Sequence, residues 1–253
     1  AKPAHPAAIL ACFRTWSAAA PERLAIETTG FTHEGRELIV AVVSSPENLK
    51  RLADIRAGFA RLADPQGLPE AASERLLDTL PAVAWMGYSI HGDEMSGADA
   101  ALALGWHLLA STDPATQELL KRVVVVIDPC MNPDGRERIL GMVEQSSGVV
   151  PSLDGASMHR GRWPWGRGNH YLFDMNRDWS AGTQPETRAR WQAIRSFHPQ
   201  LLVDAHEMGG DDSFLFYPQA APHNPFLPEK LHAWQTRFAA AAAAAFESRG
   251  WTY

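Results

Sequence analysis

Two side chains able to bind a cation stand three residues apart in the stretch YSIHGDEMSG, where His91 and Glu94 follow the apolar run at 83–90. Imidazole nitrogen and carboxylate oxygen form a ligand set that zinc accepts, and a short turn lets both reach one ion. A lone His-x-x-Glu is common on solvated surface turns, so the pair needs a third donor before it carries weight. His206 supplies one, because it follows a second apolar run in LLVDAH at 201–206. By itself it would read as a satisfied histidine at a strand end. Together the three leave one coordination position open for water. Zinc held by two neutral imidazoles and one carboxylate keeps a net positive charge, polarises a carbonyl and lowers the pKa of bound water toward about 7, which suits amide hydrolysis. Metal-bound imidazoles pass their second N–H to an acceptor, and Asp174 or Asp204 fits that role. The other eight of the ten histidines have no comparable strand-end position with a partner.

These ligands meet only if the runs before them are strands that end at one edge of a sheet. Strands are expected at 24–29, 37–44, 83–90, 123–128 and 201–205, and the stretch 123–127, apolar at every position, reads as a central strand covered on both faces. Helical patterns fall at 6–18, 46–63, 97–111, 114–122, 185–196 and 228–249, several opened by Ser, Asp or Pro. The alternation predicts an α/β fold: a mainly parallel mixed central sheet with helices on both faces and its site at the carboxyl ends of the strands. The segment 144–174, rich in Gly, Ser, Pro, Trp and Arg, has no period and reads as a long functional loop. Seven consecutive alanines at 239–245 need no explanation beyond helix propensity. No repeat or linker divides the chain, so 1–253 reads as a single domain. Residues 251–253 read as the start of a strand, from which the domain's last strands are expected to be missing.

Composition narrows the partners. At 253 residues and 45% hydrophobic content, the chain can bury a core. A net charge of −6 gives no footprint for nucleic acid. Cys12 and Cys130 are too few for a disulfide framework and are expected to be free thiols, and without a Cys-x-x-Cys pair a zinc-deaminase site is excluded. No apolar run approaches the roughly 18 residues that cross a bilayer, and AKPAHPAA lacks the regions of a signal peptide, so no membrane partner is expected. Both a cytoplasmic chain and an exported one with its leader removed are compatible with a start at Ala1.

Beyond spacing, the chain resembles the carboxypeptidase A-like family of zinc metallocarboxypeptidases. HGDE at 91–94 is similar to the family's first two ligands, and His206, 112 residues past Glu94, falls where the third is found. NPDG at 132–135 follows a central strand, DMNRDW at 174–179 is similar to the family's Asp-x-Asn-Arg motif, and THEGREL at 32–38 resembles its early Gly-Arg turn. The likeness runs from about Thr32 to Pro218 and implies further roles. Asn176 and Arg177 would hold a substrate carboxylate, chemistry suited to a planar guanidinium. Asp174 would be the acceptor for His91. Arg167, nine residues before Asn176, would stabilise the oxyanion, with Arg160 and Arg162 as rivals.

The family's general base is a glutamate well beyond the third histidine, and only 47 residues follow His206. Glu207 is a poor substitute, since its side chain should point away from His206 if the strand continues, and Glu186 suits a helix N-terminus better. The resemblance therefore implies one zinc ion and a peptide substrate cleaved at its C-terminus. An N-acyl amino acid deacylase and a non-catalytic module for carboxylate-ended peptides stay open beside it.

Overall fold

Five strands form at the apolar runs: β1 (Leu24–Phe31), β2 (Glu37–Val43), β3 (Ala82–Tyr88), β4 (Val123–Asp128) and β5 (Leu201–Ala205). Around them lie α1 (Pro6–Ala19), α2 (Pro46–Lys50), α3 (Leu52–Ala63), α4 (Glu70–Thr79), α5 (Met95–Ala110), α6 (Pro114–Arg122), α7 (Pro133–Ser146), α8 (Pro185–Phe197) and α9 (Glu229–Glu247). The computed structural model describes residues 2–150, 163–208 and 221–252.

Side-chain alternation explains why the sheet carries helices on both faces. Along β2, Ile39, Ala41 and Val43 enter one core while Val40 and Val42 enter the other; along β4, Val125 and Ile127 separate from Val124 and Val126 in the same way. Ile9 and Phe13 of α1, Ala98, Ala101 and Leu108 of α5, and Leu120 of α6 close the first core. Ile55 and Phe59 of α3 and Ala193 and Phe197 of α8 close the second.

The strand order is β1-β2-β4-β3-β5. Because β2 runs antiparallel to both β1 and β4, while β3 runs parallel to β4 and β5, every strand but β2 points the same way. The mainly parallel mixed sheet is as expected. Among the described residues β5 has a neighbour only on its β3 side, and its Leu202 is 44% exposed.

Several local features depart from the sequence expectation for identifiable reasons. The helix expected at 46–63 is two helices, broken at Arg51 with φ −108° and ψ 20°. Helix α7, which opens within NPDG, forms where no helix was expected. Asn132 caps it by accepting the Gly135 N–H at 2.9 Å, and Pro133 takes its first turn. Helix α4 buries none of its residues, which leaves its apolar pattern too weak to read. Strand β3 stops at Tyr88 because Ser89 turns left-handed, with φ 57°. Trp251 and Thr252 form no strand: the Trp251 N–H returns to the Phe246 carbonyl at 3.1 Å, and the two rings stack edge-on with centroids 5.5 Å apart.

The chain divides into two compact units, Ala1–Glu207, which holds the sheet, and Met208–Tyr253, whose described part is built on α9. Cys12 and Cys130 are free thiols. Among the described residues no helix is long and apolar enough to cross a membrane.

Two loops at the carboxyl edge of the sheet touch through glycine. The Gly92 N–H donates to the Gly166 carbonyl at 2.9 Å, and a Cβ on Gly92 would lie 2.1 Å from the Arg136 nitrogen and 2.3 Å from the Gly135 carbonyl carbon. A Cβ on Gly135 would lie 2.3 Å from the Gly166 oxygen. Asp134, beside that junction, accepts from Thr32 Oγ1 at 2.8 Å and Arg36 Nη1 at 2.7 Å, so NPDG is tied to the THEGR turn. Gly92→Ala or Gly135→Ala should therefore lower unfolding free energy by at least the ~1–3 kcal/mol of core overpacking. Gly141→Ala, in α7 with nothing within 4 Å, should raise it by roughly 0.5–1 kcal/mol. Urea denaturation of the three variants checks this; similar effects at all three would refute the junction.

Candidate metal and carboxylate site

Two chain segments deliver the three ligands expected from sequence. After β3, the left-handed Ser89 turns the chain out of the sheet, and His91 follows, 2% exposed. Glu94 stands at the N-cap of α5, and His206 directly follows β5. β3 and β5 are parallel neighbours, so their carboxyl ends open side by side.

The side chains converge on Glu94. Its Oε1 lies 2.6 Å from His91 Nδ1 and its Oε2 lies 3.0 Å from His206 Nδ1, with the imidazole centroids 5.1 Å apart. One donor atom from each residue falls within a 4.8 Å cluster, and two imidazoles with one carboxylate are a donor set that zinc accepts. Both histidines turn the same nitrogen, Nδ1, toward the shared carboxylate and keep Nε2 for an outer acceptor. His91 Nε2 is 3.0 Å from Asp174 Oδ1, and His206 Nε2 is 3.2 Å from Asp204 Oδ2. Each of the two aspartates that fit the acceptor role thus serves a different histidine.

These contacts polarise the cluster. Burial raises the pKa of Glu94, but hydrogen bonds with His206, His91 and the Glu207 N–H outweigh it and hold the carboxyl down at about 2. Hydrogen bonds to Asp204 and then Glu94 push His206 up to about 10. Asp174 also stays below the usual carboxylate range, since burial is overcome by the His91 hydrogen bond and the Arg167 charge.

Asp174 opens a single 3-10 turn, Met175–Arg177, by accepting the Asn176 N–H at 2.9 Å. The indole N–H of Trp179 donates to Asn176 Oδ1 at 3.1 Å, which fixes the amide and leaves Nδ2 3.4 Å from His206 Nε2. Arg177 is exposed, donates from Nη1 to the Asn176 carbonyl at 3.1 Å and has no ion-pair partner among the described residues.

Comparison with known proteins decides the lineage. The zinc carboxypeptidase family model matches residues 9–247. The chain belongs to the zinc carboxypeptidase family. Carboxypeptidase D of Anas platyrhynchos is 35% identical over 103 residues, covering 40% of this chain and 7% of that protein. The catalytic chain of carboxypeptidase N from Rattus norvegicus is 29% identical over 143 residues, covering 50% and 31%. The matched stretches thus span under a third of either relative's own length. The crystal structure of carboxypeptidase A from Helicoverpa armigera shares the fold, with a TM-score of 0.59 at 16% identity over 95% of this chain and 54% of that one.

In this member of the family, Arg167 donates from Nε to Asp174 Oδ2 at 3.0 Å and pairs with the same oxygen through Nη2 at 2.9 Å, the oxygen not used by His91. Nothing among the described residues takes its Nη1. Its rivals, Arg160 and Arg162, lie outside the described residues. The strand does not continue through Glu207, whose N–H donates to Glu94 Oε2 at 3.1 Å while its Oε2 accepts from Ser96 N and Oγ at 2.9 and 2.7 Å. Glu186 is buried in the first turn of α8.

Sequence reading passed over Asp178, one residue past the Asn-Arg pair. Fully buried, it accepts from Thr183 N at 2.9 Å, Thr183 Oγ1 at 2.7 Å and Gln184 N at 2.9 Å, anchoring the loop that carries Asn176 and Arg177. Its position between Arg177 and Trp179 in DMNRDW was the available signal. Burial raises its pKa, but the backbone N–H groups of Gln184 and Thr183 reverse the effect and lower it. A depressed carboxyl stabilises the fold above its unfolded pKa of about 4 and loses that contribution as pH falls through its folded value. Asp178→Asn should therefore cost about 1–3 kcal/mol near neutral pH. The gap should close in acid. Urea melts at both extremes test this, and a pH-independent difference would contradict it.

Proposed function

We propose that this chain forms the metal- and carboxylate-binding part of a zinc-dependent peptidase that removes C-terminal residues. The supporting observation is the convergence of His91 Nδ1 and His206 Nδ1 on Glu94, beside an Asn-Arg turn whose Arg177 has no ion-pair partner among the described residues. His91, Glu94 and His206 would hold one zinc ion. Bound there, zinc supplies a Lewis acid and a water of lowered pKa.

The protein's own groups divide the remaining work. Asp174 and Asp204 take the Nε2 hydrogens of His91 and His206, fixing the tautomer in which each Nδ1 offers a lone pair. Asn176 Nδ2 and the Arg177 guanidinium supply donors for a terminal carboxylate, where two parallel hydrogen bonds to one guanidinium give both energy and orientation. Arg167, braced on Asp174, is assigned to the oxygen that gains charge as the carbonyl is attacked. Glu207 is occupied by Ser96, so the general base is assigned to none of the described residues.

That last point favours a second reading, in which the chain recognises carboxylate-ended peptides without cleaving them. Purified protein should carry one zinc per chain by elemental analysis, and His206→Ala should lose it; zinc retained in that variant would refute the site. Arg177→Ala should weaken binding of a blocked dipeptide with a free carboxylate by roughly 10–100-fold, the effect of ~1.5–3 kcal/mol for a charged hydrogen bond. Arg177→Lys should restore little of it. Turnover of that dipeptide supports the peptidase, turnover of an N-acyl amino acid instead indicates a deacylase, and binding without turnover leaves the recognition module.

A further inference from the structure

Behind the proposed ligands, the sheet carries a second set of charges. Gly87 of β3 pairs in register with Asp128 of β4 on one side and with Asp204 of β5 on the other. The two aspartates therefore stand at the same level and on the same face, with an empty side-chain position between them. Strands lie about 4.8 Å apart, which puts their Cα atoms roughly 10 Å from one another.

Helix α8 covers that face. Trp85, Val124 and Val126, each on the Gly87 or Asp128 side of its strand, pack with Ala193 and Phe197 of this helix. Arg190, one turn before Ala193, is 3% exposed, and the carboxylates of Asp128, Asp204, Glu186 and Asp178 act on its charge. Its Nη1 donates to Met131 Sδ at 2.7 Å, and its guanidinium lies 4.5 Å from the Trp179 ring centre. The Met131 side chain fills the position that Gly87 leaves open, since a Cβ there would meet its Cε at 3.2 Å.

Among the described residues Arg190 Nε and Nη2 have no hydrogen-bond partner, and neither have Asp204 Oδ1 and Glu186 Oε1. A buried cation with unspent donors among unspent carboxylate oxygens contributes through its charge more than through hydrogen bonds. The cavity beside it, bounded by Thr29, Leu38, Asp128, Met131, Glu186 and Arg190, holds about 10 Å³, room for about one water, so it is no ligand pocket. The free side of this charge cluster is Asp204 Oδ2, 3.2 Å from His206 Nε2.

We propose that Arg190 is a positioning residue for the third metal ligand: its charge, set through Met131 against the Gly87 face that also carries Asp128 and Asp204, holds Asp204 in place and thereby aims His206. Without that cation, Asp204 loses the charge that attracts its carboxylate, and it can move off the line that orients the imidazole. The inference rests on His206 being a zinc ligand.

Chelator competition measures zinc affinity directly, with no need for turnover. Arg190→Met keeps the side-chain volume and should weaken zinc binding by about 10–100-fold, the usual effect of losing an outer partner of a metal ligand. Arg190→Lys should recover part of the loss. Asp204→Asn should reproduce it, and Arg190→Met added to Asp204→Asn should cost little more, because both act along one path. Unchanged affinity in folded Arg190→Met, or two losses that simply multiply, would overturn the proposal. Should Arg190→Met fail to fold, Arg190→Met with Asp128→Asn removes the cation and one carboxylate together. It carries the same expectation, and normal zinc affinity there overturns the proposal equally. Zinc binding by the wild type that every variant retains defeats this inference alone. A wild type that binds no zinc defeats the metal reading beneath it.

Discussion

One carboxylate shared by two imidazoles organises this chain. Glu94 receives His91 on one oxygen and His206 on the other, although 112 residues separate Glu94 from His206. That contact exists only because β3 and β5 are parallel neighbours whose carboxyl ends lie level. The helices on each face and the opposed strand β2 serve to hold those strand ends in register. Around the shared carboxylate the acceptors are layered outward. Asp174 joins His91 to Arg167 and to the Asn176 turn, and Asp204 pairs with His206 from the level of Gly87 on β3.

Close approach is the second constraint. HGDE and NPDG look like chemical motifs, yet two of their residues act by absence of a side chain. Gly92 and Gly135 let the exits of β3 and β4 lie against each other and against Gly166. Asn132 and Asp134 of the same motif cap α7 and anchor the THEGR turn rather than face the cluster. A signature that travels with an activity can thus be mostly a device for packing loops where strands end.

Much of this was legible because alternation and apolar runs have only a few physical solutions. The runs at 83–90, 123–128 and 201–205 gave the strands, and polar side chains just beyond two of them gave the cluster. Boundaries failed where one residue's backbone overrode the pattern, as at Ser89 and Arg51. Helix α7 was concealed by its own cap, and α4 by the lack of any buried face. Asp178 and Arg190 were missed for a different reason. Their meaning lies in partners from other segments, and pairing register such as Asp128–Gly87–Asp204 cannot be counted along the chain.

Strand β5 has a paired neighbour on one side only among the described residues, and it is the strand that ends in His206. The three side chains arrive by different routes: His91 and Glu94 share the turn between β3 and α5, whereas His206 comes from the exit of β5. A cation joining the three would act as a clasp between the exits of β3 and β5, tying the order of the two loops to occupancy of the site.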